Sequence, residues 1–102
     1  MPIDLDKVKR WIQEGRYLIA YHAKVRMVER QVSTPEMERI IESGDVIEEY
    51  PDDDPCSSLL MLGYVKKKPI HMVVGICEDH LRIITVYVPS KDKWIEDRTR
   101  RN

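Results

Sequence analysis

The sequence predicts an α+β fold in which N-terminal helices pack on one face of an antiparallel sheet. Up to Gly44, apolar residues recur at helical spacing between cap signals, and from Val46 onward short apolar segments are separated by turn signals. A chain of 102 residues, 42% of them hydrophobic, has apolar surface for one core. We therefore predict a single domain over 1–102, with its core at about 17–95 and a tail at 91–102.

Three helices are predicted in the first half of the chain. Asp4 is placed to cap the first helix, and Gly15 is placed to end it. The second helix covers about 22–31. The third begins at 33–36, where Ser-Thr-Pro-Glu combines capping-box spacing with an early proline, and it ends at Gly44.

The second half is predicted to be an antiparallel sheet. A short connector or strand at 17–21 precedes the second helix, and 51–55 is a loop because it holds two prolines and three aspartates. The predicted strands are 46–50, 58–65, 69–77 and 81–88, with three-residue loops at 66–68 and 78–80.

These loop lengths predict a register, with Val65 opposite Pro69 and Cys77 opposite Leu81. One face is then almost purely apolar and is covered by the helices. It carries Val74 opposite Ile84, Met72 opposite Val86, Ile70 opposite Val88, and Leu60, Leu62 and Tyr64. The other face carries His71 directly across from Tyr87, with Thr85 near Tyr87 and Gly63 on the other flank of His71.

His71, Tyr87 and Thr85 form the first candidate catalytic group. A histidine exchanges protons near neutral pH, and a phenol can orient or protonate an oxygen. The same residue types are common on half-exposed strands, so a structural role stays open.

A second candidate group lies in the second predicted helix. Helical spacing places His22, Arg26 and Arg30 in one polar row, with Glu29 beside Arg26 and Met27 on an adjoining apolar stripe. Such a row can bind a phosphodiester, and Arg26 or Arg30 would supply a fixed positive charge. It can also be a solvated helix face held by ion pairs.

Charge is unevenly distributed although the total is −1. Residues 35–55 carry nine acidic residues and one basic residue, so the rest of the chain is basic. We predict modest nucleic-acid binding by the basic part, although such charges can also serve solubility alone. Trp94 is predicted to anchor the tail. The candidate contacts are Arg30, Lys66, Lys67, Lys68, Lys91, Lys93, Arg98, Arg100 and Arg101.

No membrane span, metal site or cofactor site is predicted. The longest apolar stretch, 59–65, is too short to cross a bilayer, and the start lacks a secretory pattern, which predicts a soluble, cytoplasmic protein. Cys56 and Cys77 are expected as reduced thiols. The histidines and cysteines lack the short spacings of zinc sites.

Several segments together carry a family resemblance. They are the box His22-Ala23-Lys24-Val25-Arg26-Met27-Val28-Glu29-Arg30, the helix end Ile41-Glu42-Ser43-Gly44, and the strands Val46-Ile47-Glu48-Glu49-Tyr50, Ile70-His71-Met72-Val73-Val74 and Ile84-Thr85-Val86-Tyr87. Over about 19–95 the chain resembles a bacterial family of small domains of unknown function, itself similar in fold to the BrnT and RelE toxins. Residue by residue, the family box is matched by His22, Ala23, Arg26, Glu29 and Arg30. The penultimate strand of the family is matched at His71, and its last strand at Thr85 and Tyr87.

The resemblance implies helices on one side of an antiparallel sheet and, by analogy, a metal-independent ribonuclease on the uncovered face. His71 or His22 would then transfer protons, Tyr87 would orient the phosphate, and Arg26 would stabilise the developing charge. The ribose 2′-hydroxyl attacks its own phosphate, so no cofactor is needed. The alternative is a non-catalytic module that binds a cognate antitoxin or another small protein. Convergence of His71, Tyr87 and an arginine in one cleft would favour the enzyme. If these side chains are scattered or engaged in structural hydrogen bonds, the interaction module is favoured.

Overall fold

The structure, a computed structural model, describes residues 3–101 and has the predicted α+β class. Its elements are α1 Leu5–Gln13, β1 Tyr17–Ile19, α2 Tyr21–Arg30, α3 Thr34–Ser43, β2 Asp45–Tyr50, β3 Ser57–Val65, β4 Lys68–Ile76, β5 Leu81–Tyr87, β6 Trp94–Ile95 and β7 Thr99–Arg100. Five strands form one sheet in the order β1-β5-β4-β3-β2, and β6 and β7 form a separate hairpin. Neighbouring strands in the large sheet are antiparallel except β1, which runs parallel to β5.

Local sequence signals place the helices as predicted. The Asp4 side chain accepts a hydrogen bond from the backbone N–H of Lys7, and Gly15 follows α1 with a φ of 73°. Ser33 and Glu36 form a reciprocal capping box at the start of α3. Among residues 3–101, no helix is long and apolar enough to span a membrane.

The helices cover one face of the large sheet. The buried helix residues are Val8, Trp11, Ile12, Ala23, Met27, Met37, Ile40 and Ile41, and the buried strand residues of the same cluster are Leu59, Met61, Val65, Ile70, Met72, Val74, Leu81, Ile83 and Val86. Burial of this apolar surface is the main driving force that holds the helices on the sheet.

A two-residue turn joins β3 to β4, and the predicted three-residue loop is wrong. Lys66 and Lys67 have φ values of 51° and 69°, the left-handed conformation that a tight type I′ hairpin requires. Val65 therefore pairs with Lys68 and not with Pro69. Because side chains alternate along a strand, this shift turns β3 over. The residues that it moves to the face of the sheet opposite the helices are Leu60, Leu62 and Tyr64.

Gly63 lies under α3 and not beside His71 as predicted. It pairs with Ile70 on β4. A Cβ atom at this position would lie 2.6 Å from Cγ1 of Ile40, so glycine lets α3 pack closely on the sheet. The position across from His71 on β3 is occupied by Leu62.

The β4–β5 hairpin contains a bulge that restores the predicted register. Ile76 pairs with Leu81, so the predicted pairing of Cys77 with Leu81 is wrong. Ile84 is the extra residue of the bulge and lies beside Gly75, away from the face that was predicted for it. Beyond the bulge, two predicted pairs are confirmed, Met72 with Val86 and His71 with Tyr87. The ladder ends there, so it does not include the predicted pair of Ile70 with Val88.

Cys56 and Cys77 form a disulfide, which overturns the prediction of two reduced thiols. They extend the β3–β4 ladder past its last pair, Ser57 with Ile76, and their Cα atoms are 4.9 Å apart. Their separation of 21 residues gave no sign of this contact, because only the strand pairing brings them together.

Candidate functional site

His71 and Tyr87 form the centre of the candidate site. They are paired across β4 and β5 on the sheet face away from the helices. Nδ1 of His71 lies 3.1 Å from the Tyr87 hydroxyl, and the two ring centroids are 5.1 Å apart. Thr85 lies two residues before Tyr87 and pairs with Val73. Three of the predicted catalytic residues therefore share one surface of the sheet.

The C-terminal hairpin, β6 with β7, covers this surface. The Trp94 ring stands nearly perpendicular to the His71 ring, with centroids 4.4 Å apart, and the Asp97 carbonyl oxygen lies 2.6 Å from Nε2 of His71. As a result, His71 is 0% exposed and Trp94 is 4% exposed. The prediction that Trp94 anchors the tail is confirmed.

The hydrogen bonds define where the protons lie on His71. A carbonyl oxygen only accepts, so Nε2 carries a hydrogen and donates it to Asp97. In the neutral ring, Nδ1 then accepts from the Tyr87 hydroxyl. Burial lowers the pKa of His71, outweighing the bond to Asp97, and burial raises the pKa of Tyr87. Both groups are therefore neutral near pH 7, with the phenol proton directed at the imidazole.

Two arginines that were predicted as nucleic-acid contacts fasten the hairpin to β2. Arg100 donates to Glu48 from Nε at 3.2 Å and from Nη2 at 2.9 Å, and Nη2 of Arg98 lies 2.6 Å from Oδ2 of Asp45. Because β3 lies between β4 and β2, the hairpin crosses β3. This explains why Leu62, on the face away from the helices, is only 1% exposed.

Arg100 belongs to a polar cluster that sequence reasoning missed. The Arg100 guanidinium holds the pKa of Glu48 below its usual range, and burial, together with a hydrogen bond to Glu48, raises the pKa of Tyr50 to about 12. The guanidinium carbon of Arg100 also lies 4.6 Å from the centroid of the Trp94 ring. The available signal was charge complementarity between the acidic segment 35–55 and the basic tail.

A cavity of about 350 Å³ opens beside Tyr87. Its lining residues are Tyr87, Val88, Ser90, Lys93, Trp94 and Arg100. They bring together a phenol, a hydroxyl, an ammonium and a guanidinium, all of which can donate hydrogen bonds to phosphate oxygens. Within residues 3–101, no group of three or more His, Cys, Asp or Glu side chains is arranged to hold a metal ion.

The structure does not bring His22 or Arg26 to this cavity. α2 packs on the opposite face of the sheet through its buried residues. Nη1 of Arg26 lies 2.8 Å from Oε1 of Glu29, which is the ion pair that the sequence offered as the alternative. His22 is exposed on α2.

The remaining predicted cations are exposed and lie outside the cavity lining. They are Arg30 in the last turn of α2, Lys66, Lys67 and Lys68 at the β3–β4 turn, and Lys91 and Arg101 beside the hairpin. Nε of Arg101 donates to the Lys91 carbonyl oxygen at 2.8 Å, which closes the tail onto the loop after β5. Only Lys93 and Arg100 of the predicted set line the cavity.

Comparison with known proteins identifies the family of the chain. Residues 19–88 match a family described as "Domain of unknown function (DUF4258)". The matched range contains His71 and Tyr87 and ends before the C-terminal hairpin. Neither the comparison with curated proteins nor the comparison with solved structures gave a match. Because the match covers more than half of its length, the chain belongs to the DUF4258 family.

Proposed function

We propose that this protein binds RNA at the cavity beside Tyr87 and cleaves it without a metal ion, as a ribonuclease related to the RelE and BrnT toxins. One observation carries the proposal. Tyr87 lines a cavity that also holds Lys93 and Arg100, and its hydroxyl is hydrogen-bonded to the buried imidazole of His71. A phosphate at the two cations would therefore lie next to a phenol that is coupled to a base.

In the proposed reaction, the ribose 2′-oxygen attacks the adjacent phosphorus, and the bond from phosphorus to the 5′-oxygen breaks. The Tyr87 oxygen takes the 2′-hydroxyl proton while its own proton passes to Nδ1 of His71. The Asp97 carbonyl stabilises the resulting imidazolium, because it already accepts from Nε2. The expelled 5′-oxygen takes a proton from water, and the other product end is a 2′,3′-cyclic phosphate.

In this arrangement, Lys93 and Arg100 stabilise the negative charge that develops on the phosphate. They take the role that was predicted for Arg26. His71 does not touch the substrate, because it is 0% exposed, and so acts only through Tyr87.

We expect the affinity for RNA to be modest. The Arg100 charge is shared with Glu48, whereas Lys93 makes no ion pair among the described residues. Counterion release from so few phosphate contacts gives a shallow salt dependence and a Kd of about 10⁻⁴ to 10⁻⁶ M.

The test is titration of labelled single-stranded RNA at two salt concentrations, with the products examined in the presence of a chelator. Lys93→Ala should weaken binding and reduce the salt dependence. The matched control is Lys9→Ala, which removes the same charge from the exposed side of α1. Equal binding by the two variants would contradict the proposed RNA site. If the natural chain produces RNA fragments with cyclic phosphate ends and Tyr87→Phe does not, the result supports cleavage of RNA through Tyr87.

The second candidate is a non-catalytic interaction module. It is favoured by a specific observation, since both ring nitrogens of His71 make hydrogen bonds within the protein. RNA that stays intact under all of these conditions would favour this module. With either candidate we propose a cytoplasmic bacterial protein of a toxin–antitoxin type, with RNA or a small protein as its partner.

A further inference from the structure

The outward side of α2 carries an apolar stripe. Tyr21, Val25 and Val28 follow i, i+4, i+7 spacing, which places them on one face of the helix. Tyr21 is 83% exposed and Val28 is 79% exposed. The buried residues Ala23 and Met27 lie on the opposite side of α2, so the stripe does not contribute to the core.

A cavity of about 330 Å³ lies beside this stripe, between α2, the end of β1 and the start of α3. Its apolar lining residues are Ile19, Met27, Val28 and Val32, and its polar lining residues are Lys24, Ser33 and Thr34. A concave apolar site of this kind can take an anchoring side chain from a partner. Stripe and cavity share Val28 and therefore form one continuous surface.

The stripe is accompanied by positive charge. α2 carries Lys24, Arg26 and Arg30 against the single acid Glu29. Glu29 pairs with Arg26, whereas Lys24, which lines the cavity with Val28, forms no ion pair within residues 3–101. Arg30 lies nine residues after Tyr21, on the other side of the helix from the stripe. A second copy docked through the same patch would bring like charges together. The charge therefore favours an acidic partner over self-association.

We propose that α2 is a docking surface for an acidic amphipathic helix of another protein. Apolar side chains of that helix lie along Tyr21, Val25 and Val28, one of them enters the adjacent cavity, and a carboxylate beside it faces Lys24. The surface lies on the other side of the sheet from the cavity beside Tyr87. The proposal therefore does not rest on RNA binding.

Three labelled synthetic peptides of equal length test the proposal against the full chain by fluorescence anisotropy. The first has leucines at helical spacing and glutamates elsewhere, the second has lysines in place of the glutamates, and the third has the composition of the first in an order without an apolar face. The first peptide should bind at least about tenfold more tightly than either of the others. Equal binding by any two of the three would overturn the proposal.

Substitutions locate the binding surface. Val28→Gln and Tyr21→Ser should each weaken binding of the acidic peptide by about tenfold. The matched controls Leu5→Gln and Tyr64→Ser alter exposed apolar residues elsewhere and should leave binding unchanged. Lys24→Glu should shift the preference towards the lysine peptide. All five positions are on the surface, so the variants should fold, and equal losses in the variants and their controls would overturn the proposal.

Two other occupants are tested in parallel. Sedimentation of the full chain and of Val28→Gln reports a second copy, and flotation with phosphatidylglycerol vesicles reports a membrane surface. Both measurements should be negative. If the chain dimerises and Val28→Gln abolishes the dimer, the occupant is a second copy and not an acidic helix. If vesicles bind more tightly than the acidic peptide, the occupant is a membrane surface.

Discussion

Arg100 and Glu48 are joined by two hydrogen bonds across 52 residues of sequence, and this pair helps to hold the C-terminal hairpin over His71. The two side chains are 56% and 23% exposed, so solvent screens the pair and limits its contribution to about 1 kcal/mol. Truncation of a buried large aromatic side chain to alanine typically costs about 3 to 5 kcal/mol. Trp94, which is 4% exposed, is therefore the main anchor of the hairpin.

Arg100→Ala should lower the free energy of unfolding by about 1 kcal/mol, and Trp94→Ala by about 3 to 5 kcal/mol. Because the pKa of Glu48 is lowered in the folded protein, the ion pair contributes above the unfolded pKa of Glu48 and is lost as the pH falls through the folded one. Urea unfolding near neutral and at acid pH measures both effects. A larger loss in Arg100→Ala than in Trp94→Ala would contradict the proposed anchor.

Tyr87→Phe should destabilise the protein by about 1 to 3 kcal/mol, because Nδ1 of His71 would stay buried without a donor. Tyr64→Phe is the matched control, since Tyr64 is 54% exposed and its hydroxyl should contribute little. Thermal and urea unfolding of the two variants decide. If the losses are equal, the hydrogen bond to His71 does not stabilise the fold.

Stability should fall as the pH drops below the ordinary histidine pKa of 6.5, because burial lowers the pKa of His71 in the folded protein. Above 6.5 the ring is neutral in both states, whereas between 6.5 and the lower folded pKa only the unfolded chain gains the proton. His71→Gln should remove this part of the pH dependence, and His22→Gln, at an exposed position, should keep it. The measurement is the unfolding midpoint of each protein across this pH range. If both variants keep the pH dependence of the natural chain, His71 is not its source.

Met27→Ala should cost about 2 to 5 kcal/mol, and Arg26→Ala less than about 1 kcal/mol. Met27 is 6% exposed in the core, whereas Arg26 makes a surface ion pair with Glu29. Thermal melts compare the neighbouring positions on one helix. If Arg26→Ala unfolds the protein and Met27→Ala leaves its stability unchanged, α2 turns its polar row and not Met27 towards the core.

Removal of the disulfide should lower the free energy of unfolding by about 3 kcal/mol, because the bond restricts the unfolded chain across a separation of 21 residues. The double variant Cys56→Ser with Cys77→Ser should melt at a lower temperature than the natural chain. It should also be insensitive to reductant. A natural chain whose melting temperature does not change on reduction would contradict this expectation.

The sequence alone was sufficient to predict features that depend on nearby residues. It was also sufficient to predict the inward face of a strand whose apolar and polar residues alternate clearly. The cap at Asp4 and the capping box at 33–36 join atoms within three residues of one another, so spacing predicts them. On β4 and β5 the apolar residues occupy one face, so a register that buried His71 and Tyr87 among the helices would have exposed that face. This constraint put His71 and Tyr87 on one face, whereas their exact pairing also depended on the bulge at Ile84.

Only the tertiary structure decided the rest, because the competing arrangements are alike in local sequence. Both faces of β3 are apolar, so alternation could not choose between them, and the left-handed turn at Lys66 and Lys67 set its register. The disulfide, the pair of Arg100 with Glu48, and the cover over His71 each join segments that are far apart in the chain. Such contacts form only after the sheet has brought the segments together, and for this reason the sequence pointed to His71 but did not show that the hairpin buries it.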